Sequence, residues 1–194
     1  MKHAIRLALV LGTMVALQGC VALGIGAAVG VGAKVATDPR SAGTQIDDET
    51  LEERVIYAIK KDEQIKAEGR VNVVAYSGRV LLIGQVPQEG LKDIAKSLAE
   101  GVEGVKPDQV YNELRIGQPI TAGQISKDAW ITSQVKSKLL INSDVKMTAV
   151  KVITENAEVF LMGNLTRSQA DAAAQVAANT SGVTKVVKVF KYLD

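Results

Sequence analysis

Side chains that perform chemistry are few in this chain and unevenly placed. The 194 residues contain one cysteine, Cys20, and one histidine, His3. Both lie at the extreme N-terminus, where a basic start (Lys2, His3, Arg6) runs into a short apolar stretch ending near Leu17, just before Cys20, the pattern of an export signal. Removal of that segment leaves no imidazole base. A lone cysteine supports neither a disulfide nor a His/Cys metal site within the chain. Carboxylates remain, but no two are set in apolar sequence as acid–base catalysis requires. The run GIGAAVGVGA, residues 24–33, imitates a nucleotide loop. It follows no predicted strand, opens no βαβ unit, and no Walker Gly-Lys-Ser/Thr occurs, so it reads as an apolar tether. The expectation is a protein with no catalytic and no metal-binding residues.

Binding chemistry gathers around the only tryptophan, in Asp128–Ile141, DAWITSQVKSKLLI. At about 100° per residue, with Trp130 at zero, Ile131, Val135 and Leu139 fall near ~100°, ~140° and ~180° and form a core stripe. The opposite side carries Leu140, Ser133, Ser137, Trp130 and Ile141, with Lys136 and Lys138 on its borders. Apolar side chains flanked by lysines suit a helix lying in a headgroup–acyl boundary. Trp130, Ser133, Lys136, Ser137, Lys138, Leu140 and Ile141 are therefore the candidate phospholipid-binding residues. Two other readings stay open: Trp130 packs on the other half of the chain, or Leu140 and Ile141 lie under the following loop.

The elements that position this helix occur twice. DDETLEERVIYAIKKDEQI aligns with SKDAWITSQVKSKLLINSDV, and VNVVAYSGRVLLIGQV with VKVITENAEVFLMGNL. The offset drifts from 80 at Val55/Val135 to 78 at Gly104/Gly182, which indicates tandem domains with small indels. Each copy reads α-β-β-α-β. Leu51, Val55 and Ile59 mark the first helix of copy one. The hairpins turn at Ser77-Gly78 and at Glu155-Asn156. Thr166 is an N-cap and Gly182 a stop for the second helix of copy two. Gly84 and Gly163 recur late in the second strand and are read as structural, letting the second helix pack closely. The predicted class is α+β, two tandem domains, each a three-stranded sheet with two helices on one face. The expected segments are 1–19, a signal peptide; 20–46, a modified terminus and linker; 47–116, domain one; and 125–194, domain two.

The copies differ in charge. Residues 47–116 hold ten Lys/Arg against fourteen Asp/Glu, a balance of −4, whereas 125–194 hold nine against six, +3. The outer helix face of copy one presents Thr50, Glu53, Tyr57, Lys60 and Lys61 where copy two has Trp130, Ser133, Ser137, Leu140 and Ile141. A basic second domain is drawn to anionic surfaces, at about 1 kcal/mol per Lys or Arg that reaches the headgroups.

Two resemblances add to this. Leu17-Gln-Gly-Cys20, directly after the apolar run, resembles a bacterial lipobox, with Gly19 at the small position. It implies cleavage before Cys20 and an N-acyl and S-diacylglycerol lipid on that residue, with no other cofactor. The α-β-β-α-β unit, the strand motifs VLLIGQV and VFLMGNL and the closing GV…V pattern resemble the BON domain. With the lipobox, ATDPRSAGTQIDD and DAWIT, the chain resembles the DolP (YraP) group of dual-BON outer-membrane lipoproteins. That resemblance implies a periplasm-facing, non-enzymatic lipoprotein that binds anionic phospholipid through its second BON domain and supports outer-membrane integrity. It also implies a link to the division site and to the β-barrel assembly machinery, and no nucleic-acid partner. Val21 fits outer-membrane sorting. The rival reading is a protein-interaction scaffold for envelope proteins that uses the same helix surface.

Overall fold

A computed structural model describes residues 38–194. Cys20, the expected site of lipidation, the expected signal segment 1–19 and most of the expected 20–46 linker lie outside the described residues. Each copy forms the predicted unit. Copy one comprises α1 (Ala42–Ile59), a short α2 (Glu63–Glu68), β1 (Arg70–Tyr76), β2 (Arg79–Val86), α3 (Glu89–Glu100) and β3 (Val110–Ile116). Copy two comprises α4 (Ala122–Leu140), β4 (Val150–Glu155), β5 (Glu158–Leu165), α5 (Arg167–Ala178) and β6 (Lys185–Tyr192). The central strand pairs antiparallel with the first and parallel with the last, in the orders β1-β2-β3 and β4-β5-β6.

Helix α1 begins five residues before the expected boundary at 47. Ser41 caps it, its hydroxyl accepting from the Thr44 amide at 3.1 Å, so the Pro39-containing segment is a helix entry rather than the end of a linker. Gln45 is already buried and donates to the Arg40 carbonyl. Thr121 caps α4 in the same way. Thr166 caps α5 through a full capping box with Gln169.

Alternate strand residues divide between two cores. Ala75, Val80, Leu82, Val86 and Leu114 pack beneath α1 and α3; Val152, Val159, Leu161, Leu165 and Phe190 pack beneath α4 and α5. The intervening residues Val74, Tyr76, Leu81, Ile83, Phe160, Met162 and Val189 form a third core that joins the two sheets face to face. The architecture is four layers, helices–sheet–sheet–helices, and this explains why every residue of β2 is buried. Ion pairs and hydrogen bonds ring the joint. Glu155 accepts from Arg70, Asn72 and Gln85, and Arg115 reaches Glu158 with two nitrogens, at 3.0 and 2.6 Å. Buried Arg79 donates to the Gly163 and Val189 carbonyls and to Asn164 Oδ1.

Two details correct the sequence reading. The second hairpin turns at Asn156-Ala157, one residue later than expected; both have positive φ (51° and 63°), matching Ser77 (50°) and Gly78 (76°). Glu155 is thereby a buried strand residue rather than a turn residue. The strand glycines admit backbone, not the second helix. A Cβ on Gly84, whose φ is +124°, would lie 1.9 Å from the Arg70 carbonyl oxygen, and one on Gly163 would lie 2.6 Å from that of Ala149.

Candidate membrane-docking surface

The outer side of α4 owes its position to a carboxylate beneath it. Asp128, buried in the first half of the helix, accepts from the Asn156 amide at 2.7 Å and the Ala157 amide at 2.9 Å. The hairpin turn is thus bonded to the helix. Asp48 does the same in copy one, accepting from the Ser77 amide at 2.6 Å and the Gly78 amide at 2.9 Å, and pairing with Arg40 at 2.5 Å. Thr132 adds a hydroxyl contact of 2.7 Å to Thr154 on β4. With Ile131, Val135 and Leu139 fully buried, the rotation of α4 is fixed.

That rotation brings most of the candidate residues to one exposed face. Trp130 is 51% exposed, Leu140 68% and Ile141 84%; Ser133, Lys136 and Ser137 are exposed among them. The Trp130 ring edge rests beside the turn at Gly182, where an added Cβ would lie 4.0 Å from Cζ3. Lys138 departs from this set. It is half-buried and donates from Nζ to the Asn179 carbonyl at the end of α5, 2.8 Å away. Its ammonium is thereby engaged with a helix C-terminus, where a cation is favoured. A shallow groove of about 390 Å³ runs along the same face, lined by Ala129, Thr132, Ser133, Lys136, Leu140 and Met147 among others. Met147 was not legible as part of this face, because the loop after α4 brings it back. Thr132 and Ser133 stand at i+3 and i+4 from Ala129, so Ala129 and Thr132 could have been found.

The joint between the domains is built from the strand faces, so Trp130 takes no part in the third core, and Leu140 and Ile141 are not covered by the loop that follows them. In copy one the equivalent face shows Tyr57 at 68% exposure, with Lys61 Nζ 4.9 Å from its ring centroid. Carboxylates and lysines otherwise dominate there.

Fold and surface together define a tandem pair of small α+β domains in which the second copy carries an apolar helix face. The BON domain matches this chain twice, at residues 47–118 and 127–194. Outer membrane lipoprotein DolP of Haemophilus influenzae is 63% identical over 189 residues, covering 97% of this chain and 96% of the relative. The 21 kDa hemolysin of Actinobacillus pleuropneumoniae is 62% identical over 157 residues, 81% of this chain and 80% of that one. Osmotically-inducible protein Y of Escherichia coli is 29% identical over 154 residues, 79% and 76% of the respective chains. The chain belongs to the BON-domain family, in its dual-BON group of outer-membrane lipoproteins.

Proposed function

We propose that this lipoprotein is held at the outer membrane by the lipid on Cys20, faces the periplasm, and docks its second BON domain on anionic phospholipid. The outer face of α4 makes the contact, and the result is a non-enzymatic contribution to membrane integrity. The observation that carries this is the difference between two copies of one fold. The structural stripe of the first helix is kept in both, while the outer face alone changes from Thr50, Glu53, Lys60 and Lys61 to Trp130, Ser133, Leu140 and Ile141. Nothing in the packing of the domain requires that change.

Tryptophan favours the interface between water and acyl chains. The serines leave room for headgroups between the apolar residues, and Lys136 at the border meets phosphate. Lys138 contributes only if it leaves the Asn179 carbonyl. The covalent lipid already confines the protein to the surface, so the second contact acts at high effective concentration and needs little affinity of its own. The haemolytic name of one relative belongs to that protein, but it is consistent with action at a membrane.

The test is cosedimentation of residues 39–194 with protein-free vesicles. Anionic vesicles should carry the fragment down and zwitterionic ones should not, with binding weakened as salt rises. The fragment has to begin by Pro39, since Ser41 and Arg40 complete α1. Failure to bind any vesicle would hand the surface to an envelope protein, such as a component of the β-barrel assembly machinery.

A further inference from the structure

The position that holds Trp130 in copy two holds Thr50 in copy one, and the consequence is a cleft. In copy two the indole lies beside the Gly182 turn. In copy one the equivalent turn is Gly104, also at positive φ (94°), and the small threonine leaves the space between turn and helix open. The opening measures about 530 Å³ and lies between α1, the hairpin turn at Ser77-Gly78 and the Glu103-Gly104 turn. Its exposed acidic lining is Asp47 and Glu103, where copy two has Lys127 and Ser181. Asp48 lies deeper, engaged with the turn amides and Arg40. Among the described residues, Arg54 contributes the one cation of the lining.

Beside this cleft runs an apolar stripe. Ile46 is 64% exposed and Tyr57 68%. Eleven residues apart, about three helical turns, they fall on the same side of α1, with Thr50 between them at the mouth of the cleft. Copy two has serines at both equivalent positions, Ser126 and Ser137. Fold requirements do not explain an isoleucine and a tyrosine here, because the core stripe of α1 is Leu51, Val55 and Ile59.

We infer that this face of the first BON domain is a docking surface for a protein partner that inserts an arginine or lysine side chain into the cleft and lays apolar residues against Ile46 and Tyr57. Charge selects the occupant. The domain carries a net −4, and the cleft's exposed acids repel a phospholipid headgroup but attract a cation. The layer order selects the direction of approach. α1 and α4 lie on opposite outer layers of the sandwich, so a partner on α1 leaves the α4 face free. The protein then has one face for lipid and the opposite face for protein. The cleft itself does not depend on the lipid reading; only its orientation away from the membrane does.

The test uses residues 39–194 labelled for amide NMR and titrated with the probe peptide acetyl-Leu-Arg-Leu-amide, with acetyl-Leu-Glu-Leu-amide as control. Saturable shifts should centre on the amides of Thr50, Ser77, Gly78 and Gly104 with the arginine peptide only. Asp47→Asn with Glu103→Gln should weaken them at least fivefold without disturbing the fold, since both residues are exposed. Thr50→Trp should fill the cleft as Trp130 does in copy two and abolish them. Vesicle binding should be unchanged in all of these variants, which separates this proposal from the lipid reading. The proposal is overturned if the shifts spread over carboxylates at large, if they survive the double substitution, or if anionic vesicles perturb the same amides. Self-association of the fragment that Thr50→Trp abolishes would replace the protein partner with a second copy of this chain.

Discussion

Trp130 illustrates how little stability a side chain proposed to dock on lipid needs to supply. Half of its surface is in water and its neighbours Ile131 and Val135 carry the core contact, so Trp130→Glu should change unfolding free energy by no more than about 0.5 kcal/mol. Its effect belongs on the vesicle: the wild-type emission should shift to the blue on anionic lipid, and the glutamate variant should no longer sediment with it. A large fall in melting temperature would instead make Trp130 a structural residue. Gly84 is the opposite case, invisible from outside and intolerant of a single methyl. With φ at +124° and the Arg70 carbonyl 1.9 Å from the place a Cβ would take, Gly84→Ala forces apart two paired strands. It should cost well over about 1 kcal/mol in a denaturant titration. Gly90, in the first turn of α3 with open space around it, is the control: Gly90→Ala should be neutral or stabilising by up to about 1 kcal/mol.

The hairpin turns show a device repeated in both copies and legible in neither from sequence alone. Asp48 and Asp128 look like ordinary polar residues at a helix start, yet each is buried and accepts two amides from a turn nearly thirty residues away. Asp128→Ala leaves the Asn156 and Ala157 amides without that acceptor and should cost about 1–3 kcal/mol, read as a lower melting temperature of residues 39–194. Ala157 adopts φ of 63°, where an L side chain is disfavoured, so Ala157→Gly should raise stability by about 0.5–1 kcal/mol. The repeat made the element order readable, because helix and strand periodicities agree across two independent copies. The turn position went wrong by one residue for a physical reason. Glu155 has the composition of a turn, but its partners Arg70, Asn72 and Gln85 are 70 to 85 residues distant, and no local pattern reports such contacts. Pro39, Ser41 and Gly43 likewise read as linker, although one precedes an N-cap, one is the N-cap and one lies in the first turn it starts. The candidate site was readable as far as its helix face, since Ile131, Val135 and Leu139 set the rotation. The bond of Lys138 to the Asn179 carbonyl was not legible, because that carbonyl belongs to another helix.

For the whole molecule, the consequence of the third core is that two BON domains behave as one. A clue lay in the sequence: Leu81, Ile83, Phe160 and Met162 interrupt the alternation expected of a sheet covered on one side, and such two-sided strands must be buried twice. The polar ring around that core gives the union a pH dependence. Glu158 of the second domain accepts two bonds from Arg115 of the first, and these bonds are the main reason its carboxyl is held below the ordinary carboxylate range; Lys185, 3.7 Å away, acts in the same direction. A carboxyl depressed in the folded state contributes stability that is complete above its unfolded value of about 4.3 and is lost as pH falls through the folded value. Glu158→Gln removes the charge and keeps the shape. Thermal unfolding of residues 39–194 should therefore show the wild type more stable than Glu158→Gln at pH 7, with the gap closing below about pH 4 as Glu158 takes up its proton. Both proteins should unfold in one transition at neutral pH, because the sheets share a core. A gap that stayed constant down to pH 2 would mean that the Arg115–Glu158 pair is not what couples acid to the joint between the domains.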